Sequence, residues 1–492
     1  MTDRLPFSRD ELGRRTVRGV AINATFLLIV EAVALAQGLI VARLLGPEEV
    51  GLYGIVSITA TTLIALKRVG IDEAFVQQDE QDQEQEFQRA FTLELGLALV
   101  FALLIAIAAP VVAAAYGEER LLWLTLAVAY LPIAFALQAP LWIFFRRMDF
   151  MRQRSLQAVV PLTTFAVTVP LVIAGVGVWS LVIGAFAGNL ASAVLAIWVS
   201  PYRLGIRYDR NALKRYFAFS WPVFVVTICG LLMAQGQIFA FDLEGGLEAT
   251  GFVALAVALT RYADRADTVI SPAIYPAVCA VRDQAATLER LFTAAARASA
   301  IWSLAFGALF VLFAPDLVHF VLGDEWDGAV PLLQGLAASS ALYYLGFSWI
   351  AFARGLNRPR PPALESVAAL AVFGAVALPL LFASGTTAYV LAMVGSSLVV
   401  LAIRSYFVRR LLPGVAIGRL ALRAAWPLAA AAAAAVALRL ALWGGDRSAA
   451  QAAGELLLFA AVYGGATWAS ERDLIRDLRQ TAARPQGTPS PT

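Results

Sequence analysis

A chain of 492 residues that is 60% hydrophobic and 15% charged, with a mean hydropathy of +0.73, carries too much apolar side chain for a soluble globular protein, whose apolar share is nearer half. It reads as a polytopic membrane protein. The net charge of +3 says little by itself, because the side of the membrane on which each Lys or Arg sits is what matters, and nothing in the sequence points to nucleic acid.

A helix needs about 20 apolar residues to cross the hydrocarbon core, whereas barrel strands read as short alternating segments. The long apolar runs here predict helices. Residues 1–17 hold Arg4, Arg9, Arg14 and Arg15, and the apolar run that follows is far longer than that of a cleavable signal, so it stays as the first span. Spans are predicted near 18–43, 49–67, 89–114, 120–144, 155–175, 178–199, 217–241, 249–281, 291–314, 328–353, 362–383, 387–408, 420–443 and 449–469. This makes an all-α polytopic protein of about 14 transmembrane helices.

With alternate loops assigned to the cytoplasm, Lys67, Arg68, Arg89, Arg146, Arg147, Arg152, Arg154, Arg282, Arg354, Arg404 and Arg410 fall inside, while Arg43, Arg120, Arg439 and Arg447 fall outside. That asymmetry puts both termini in the cytoplasm. Among the joining segments, the acidic, Gln-rich stretch from Asp72 to Glu86 reads as a solvated loop. Residues 201–216 read as a basic interfacial helix between the halves. The Pro-rich end, within 471–492, reads as a partly disordered tail.

The chain repeats itself. Sliding it by 200 places Gln37 on Gln237, Gly46 on Gly246 and Gly51 on Gly251. With small gaps the match continues through Phe91-Thr92 on Phe292-Thr293, Gly117 to Glu119 on Gly323 to Glu325, and Trp142, Phe145 and Arg147 on Trp349, Phe352 and Arg354. The expected organisation is a bundle of six helices at 18–200, the linker at 201–216, a second six-helix bundle at 217–410, and two further helices at 411–470. Two homologous halves are the symmetry of transporters.

Several kinds of chemistry are missing. The sequence has no phosphate-cradling P-loop, and a single histidine with no Cys/His cluster argues against a metal site. Cys229 and Cys279 both lie in apolar segments, as small hydrophobes would. No cofactor is expected. The outer connections are short, and the acidic turn near Asp324 and Asp327 reads as a repeated structural turn rather than a catalytic pocket.

Ionisable groups at membrane depth are costly and mark function by default. The densest set, Arg261, Asp264, Arg265 and Asp267, lies on the eighth span. Arg261 and Arg265, four apart, share a face of a continuous helix, where they either hold a diphosphate or leave Arg261 to pair internally with Asp264. Arg43 is a cavity cation or an interfacial snorkeller. Glu31 and Glu94 are mid-span carboxylates that either carry a coupling proton or bond a neighbouring helix. Arg147 and Arg354 are positive-inside anchors or inner-gate ligands. Gln37 and Gln237 line a cavity or bond between helices.

The stretch from Ala42 to Tyr53, the run Arg146 to Phe150, and Pro272 to Pro276 ahead of Arg282-Asp283 resemble the polysaccharide transporter family. That family includes O-antigen flippases and teichuronic-acid exporters of the multidrug/oligosaccharidyl-lipid/polysaccharide superfamily. The resemblance covers spans 1 to 12. It implies two six-helix bundles around a central cavity lined by spans 1, 2, 7 and 8, in the bacterial cytoplasmic membrane. The implied activity is alternating access that moves an undecaprenyl-diphosphate-linked oligosaccharide to the outer leaflet. It also implies a lipid bilayer, a polysaccharide polymerase and a chain-length regulator as surroundings and partners. Many members have Asp where this chain has Gln237, which removes a charge-pairing role there. The rival expectations are a cation-coupled multidrug exporter of the same superfamily and a membrane glycan-assembly enzyme.

Overall fold

In a computed structural model the described residues are 9–67, 71, 72, 75, 82–147, 149–207, 221–265, 278, 284–346, 348–356, 358, 360–443 and 447–473. Every regular element among them is helical. Among the described residues ten helical stretches are long and apolar enough to cross a membrane, which makes the chain a multi-pass membrane protein. Asp267, most of the 201–216 linker, the Pro272 to Pro276 motif and the C-terminal tail lie outside the described residues.

Three of the longest stretches are broken by glycine. Gly46 (φ 75°), Gly246 (φ 68°) and Gly385 (φ 77°) interrupt the helices Arg9–Lys67, Trp221–Thr260 and Leu378–Leu411. A side chain in that region meets its own carbonyl, so glycine is the residue that turns the chain there without strain. Pro47, next after Gly46, restarts the helix because its missing N–H falls where no helical bond is made. The first helix begins at Arg9, ahead of the predicted start near 18.

The stretch expected to be a solvated acidic loop ends inside a helix. Asp82 accepts from the backbone N–H of Gln85 and caps the helix Gln83–Tyr116, which closes on the left-handed Gly117. Glu84 and Glu86 therefore occupy a first turn, where the helix dipole favours carboxylates. The predicted fourth span is three short helices, Arg120–Val128, Leu131–Leu137 and Pro140–Arg146, with prolines at the starts of the latter two.

The described residues form two compact units. One comprises 9–45 and 55–207, the other 46–54 and 221–473. In the first, Phe75, Phe87, Phe91, Ala139 and Ile143 pack at one end of the Gln83–Tyr116 helix. The start of the linker is not a helix. Residues 200–207 run along Gln83–Tyr116, where Glu84 accepts from the Arg203 N–H (3.0 Å), Gln88 donates to the Arg203 carbonyl (3.3 Å) and the Thr92 hydroxyl accepts from the Arg207 N–H (2.7 Å).

In the second unit Phe292, Trp349, Phe352, Val408 and Ile417 form a core cluster. Beside it lies Arg404, which was expected in the positively charged inner loops and is fully buried. It donates to Glu365 through Nε (3.0 Å) and to the Leu345 carbonyl (2.7 Å), while Trp349 Nε1 donates to the other Glu365 oxygen (2.9 Å). Burial of a charge is tolerable when its partner and hydrogen bonds come with it.

The last two spanning helices, Ile417–Ala441 and Ala449–Ser470, are fastened to Ala285–Asp316 at three levels. Arg439 and Glu455, Glu455 and Arg447, and Arg447 and Asp316 form a chain of ion pairs at one end. At the other end Glu471 pairs with both Arg297 and Arg423. Between them Tyr463 donates to the Ile301 carbonyl at 2.6 Å. Arg439 and Arg447, expected as loop arginines, are thus structural cations. In the Ala-rich run, Ala431 and Ala435 are fully buried.

Candidate functional site

The two glycine turns that the repeat aligns meet inside the second unit. A Cβ on Gly51 would collide with the carbonyl oxygen of Leu247 and stand 3.0 Å from the N of Gly251, and a Cβ on Gly251 would collide with the carbonyl of Pro47. Residue 247 is the repeat equivalent of 47, so residue 51 touches the equivalent of 47 while the equivalent of 51 touches 47 itself. That reciprocity defines a local two-fold contact. Gly54 lies on it as well, since a Cβ there would stand 2.8 Å from the Cβ of its own equivalent, Ala254. Small residues are required because the two backbones touch.

The turn Asp324–Ala329 packs onto this crossing. Trp326, fully buried, meets the Phe252 ring edge-on at 5.9 Å, and Gly328 leaves room for that ring. Both carboxylate oxygens of Glu325 lie 3.5–3.6 Å from the position a Gly46 Cβ would take, at the N-terminus of the helix that Pro47 starts. A carboxylate is favoured there by the helix dipole.

Beyond Gly246 the helix runs to Thr260 and then tightens into the 3-10 turn Arg261–Asp264. Short 3-10 turns of this kind are common at the ends of α-helices. The turn is fixed from the side by Trp302, whose Nε1 donates to the Tyr262 carbonyl at 2.9 Å. Arg265 lies over the Tyr262 ring at 5.4 Å and 3.7 Å from Asp264. Arg261 is exposed. The tightened winding corrects the expected geometry: Arg261 and Arg265 do not share one face of a continuous α-helix, and the ion pair of Asp264 is with Arg265.

The other predicted residues are dispersed. Arg43 is exposed and Glu31 and Gln37 are half-buried, all in the first unit. Glu94 accepts from Lys67, which is 4% exposed. Arg147 donates to the Tyr202 hydroxyl at 3.1 Å and stacks on its ring at 5.2 Å. Arg354 is exposed in the last turn of Trp349–Gly355. Gln237 is buried in the second unit. The structure brings together Arg261, Asp264 and Arg265, with Tyr262 and Trp302 as supports that sequence reasoning missed. The Arg404–Glu365 pair was also missed, although one buried charge of each sign on adjacent predicted spans was a signal for it. No group that could hold a metal occurs among the described residues.

This arrangement of helices has the fold of multidrug/oligosaccharidyl-lipid/polysaccharide transporters. The lipid II flippase MurJ in an inward closed conformation is similar at a TM-score of 0.70 and 11% identity, covering 92% of this chain and 99% of MurJ. A multidrug resistance MATE family transporter of the MOP superfamily, inward-facing, is similar at 0.64 and 14% identity, covering 81% of this chain and 100% of its own. A MOP superfamily transporter from Pyrococcus furiosus is similar at 0.54 and 15% identity, covering 82% of this chain and 97% of its own. At these identities the likeness establishes the fold. No curated protein matches in sequence. The model of the polysaccharide biosynthesis protein family matches residues 40–331, more than half of the chain, and the chain belongs to that family.

Proposed function

We propose that the protein is a flippase that moves an undecaprenyl-diphosphate-linked oligosaccharide, a precursor of O-antigen, capsule or exopolysaccharide, from the cytoplasmic to the outer leaflet of the bacterial cytoplasmic membrane. Membership of a polysaccharide biosynthesis family and likeness to a lipid II flippase support it. In this reading the ten apolar stretches become fourteen spans. Division at Gly46, Gly246 and Gly385 makes thirteen, and the pair Val330–Tyr343 and Trp349–Gly355 supplies another. Twelve form two six-helix bundles about a central cavity, and both termini are cytoplasmic, in keeping with the distribution of Lys and Arg.

The observation that carries the reading is Arg261. It is exposed in a 3-10 turn about 20 Å along from Gly246 at the helical rise. An exposed guanidinium at membrane depth is stable when it faces a water-filled cavity or an anion, and its planar fork suits diphosphate oxygens. Arg265, steadied by Asp264 and Tyr262, adds a second cation, and Arg43 a third. The sugar head enters a cavity open to the cytoplasm while the polyprenyl tail stays in lipid. The arginines replace water around the diphosphate, and the halves rock to open outward.

The test is the leaflet distribution of lipid-linked glycan in host cells depleted of the protein, with Arg261→Ala, Arg265→Ala beside the wild type. Accumulation facing the cytoplasm, unrelieved by a normally inserted double variant, is expected. A normal outer-leaflet distribution with no other flippase present moves the assignment to multidrug export.

A further inference from the structure

We propose that residues 201–207, the start of the linker, form with Arg147 a docking surface for the headgroup of an anionic phospholipid in the leaflet at that end of the first unit. The surface lies wholly within the first unit. It does not depend on what the protein transports or on which side of the membrane this end lies.

The arginines here divide into those that the fold uses and those that it leaves over. Arg146 donates to the Phe75 carbonyl at 3.0 Å and lies over that ring at 6.0 Å, Arg89 pairs with Glu86 at 3.1 Å, and Arg152 lies 3.5 Å from Asp149. Arg147, Arg203 and Arg207 are exposed, and among the described residues no carboxylate forms an ion pair with their guanidinium groups. Glu84 accepts the backbone N–H of Arg203, so three cations stand against this one carboxylate and the surface stays positive.

These cations are held in place and turned outward. The strap is fastened to the helix Gln83–Tyr116 mainly by its backbone, through the N–H groups of Arg203 and Arg207 and the carbonyl of Arg203. Tyr202 and Leu204, partly buried, pack against the Phe75 and Phe87 cluster. The side chains of Arg203, Ile206 and Arg207 are left to the surface. Arg207 donates to the Gln85 side-chain oxygen at 2.8 Å and Arg147 to the Tyr202 hydroxyl at 3.1 Å. Both partners are neutral, so they fix the guanidinium groups without cancelling their charge.

Large apolar side chains put the surface at the lipid boundary. Trp198, in the last turn of Trp179–Val199, is 81% exposed and Ile206 is 80% exposed, with Phe145 exposed two residues before Arg147. Such side chains beside arginines suit the headgroup level, where tryptophan collects, apolar groups reach the acyl chains and guanidinium groups meet phosphate. A zwitterionic headgroup brings its own cation to the phosphate, whereas an anionic one leaves the phosphate to the protein. Three guanidinium groups without carboxylate partners therefore select the anionic class.

The experiment uses the full chain, purified in detergent, and needs no transport assay. Added phosphatidylglycerol should raise the melting temperature by several degrees over an equal amount of phosphatidylcholine, as a ligand of the folded state does. In a variant carrying Arg147→Gln, Arg203→Gln and Arg207→Gln that difference should largely vanish. Arg409→Gln with Arg410→Gln, an exposed basic pair in the second unit, should keep it. In zwitterionic nanodiscs a photoactivatable phosphatidylglycerol should attach to residues 198–207 of the wild type several-fold more than its phosphatidylcholine counterpart. This reading needs no variant, so it decides even where the triple variant does not fold. Equal effects of the two lipids, equal losses in both variants, or attachment elsewhere overturns the site. An oligoglutamate peptide that reproduces the shift assigns the surface to a protein partner and overturns the lipid. Failure of the flippase assignment leaves every one of these outcomes as it stands.

Discussion

Lys67, the last residue of the first long helix, donates to the carboxylate of Glu94, about three turns into the next, and both side chains are largely buried, at 4% and 14% exposed. A carboxylate that the sequence offered as a proton carrier is thereby the partner of a buried ammonium.

Removing one member leaves the other charge uncompensated. Glu94→Gln should lower stability by about 3–5 kcal/mol, whereas Lys67→Met with Glu94→Leu should lie close to wild type, because an apolar pair of similar volume replaces a buried ion pair at little cost. Thermal melting of the detergent-solubilised protein reads both. The double variant should also keep glycan delivery; its loss in a stably folded double variant restores Glu94 as a coupling residue.

The Arg404–Glu365 pair makes a sharper version of the same prediction, since Arg404 is fully buried and Glu365 nearly so. Glu365→Gln keeps the Trp349 acceptor but strands the guanidinium, and should cost about 3–5 kcal/mol. Trp349→Phe removes the hydrogen bond to Glu365 together with part of a buried ring, leaves the ion pair intact, and should cost about 1–3 kcal/mol. The order of the two melting temperatures is the measurement; an equal or reversed order contradicts this division of roles.

At the 3-10 turn, Arg261→Ala should reduce delivery of lipid-linked glycan with little change in melting temperature, because the exposed guanidinium has a site rather than a core to fill. Arg261→Lys should restore it only in part, a point charge replacing a planar fork. Trp302→Phe, which releases the Tyr262 carbonyl, should weaken delivery and lower stability together.

The two terminal helices supply a fourth test. Arg447 bridges Asp316 and Glu455, so Arg447→Ala leaves Glu455 with Arg439 and deprives Asp316 of its ion pair with Arg447. Limited proteolysis between these two helices should become faster, while a chain carrying Arg419→Ala, outside the network, should be cleaved as the wild type is.

The helical, multi-pass class was legible because long hydropathy runs are a local property of the chain. Gly46 and Gly246 could be matched by eye, and the structure turns at both with positive φ. Only the first residues of the linker depart from the expected interfacial helix: Glu84, Gln88 and Thr92, distant in sequence, hold residues 201–207 in an irregular run along another helix.

Pairing is what the sequence could not give. Spacing places Arg261 and Arg265 on one face only while the helix stays α, and a single tightened turn separates them. Lys67, Arg404, Arg439 and Arg447 all counted as loop or interface charges, because a positive charge near the end of a predicted span looks the same whether it faces head groups or a buried carboxylate. Apolar length and glycine position, set by transfer free energy and backbone sterics, were determined by the sequence alone. Which carboxylate meets which arginine, and that Gly51 touches Leu247 while Gly251 touches Pro47, was decided by tertiary packing, since most of those contacts join residues far apart in the sequence.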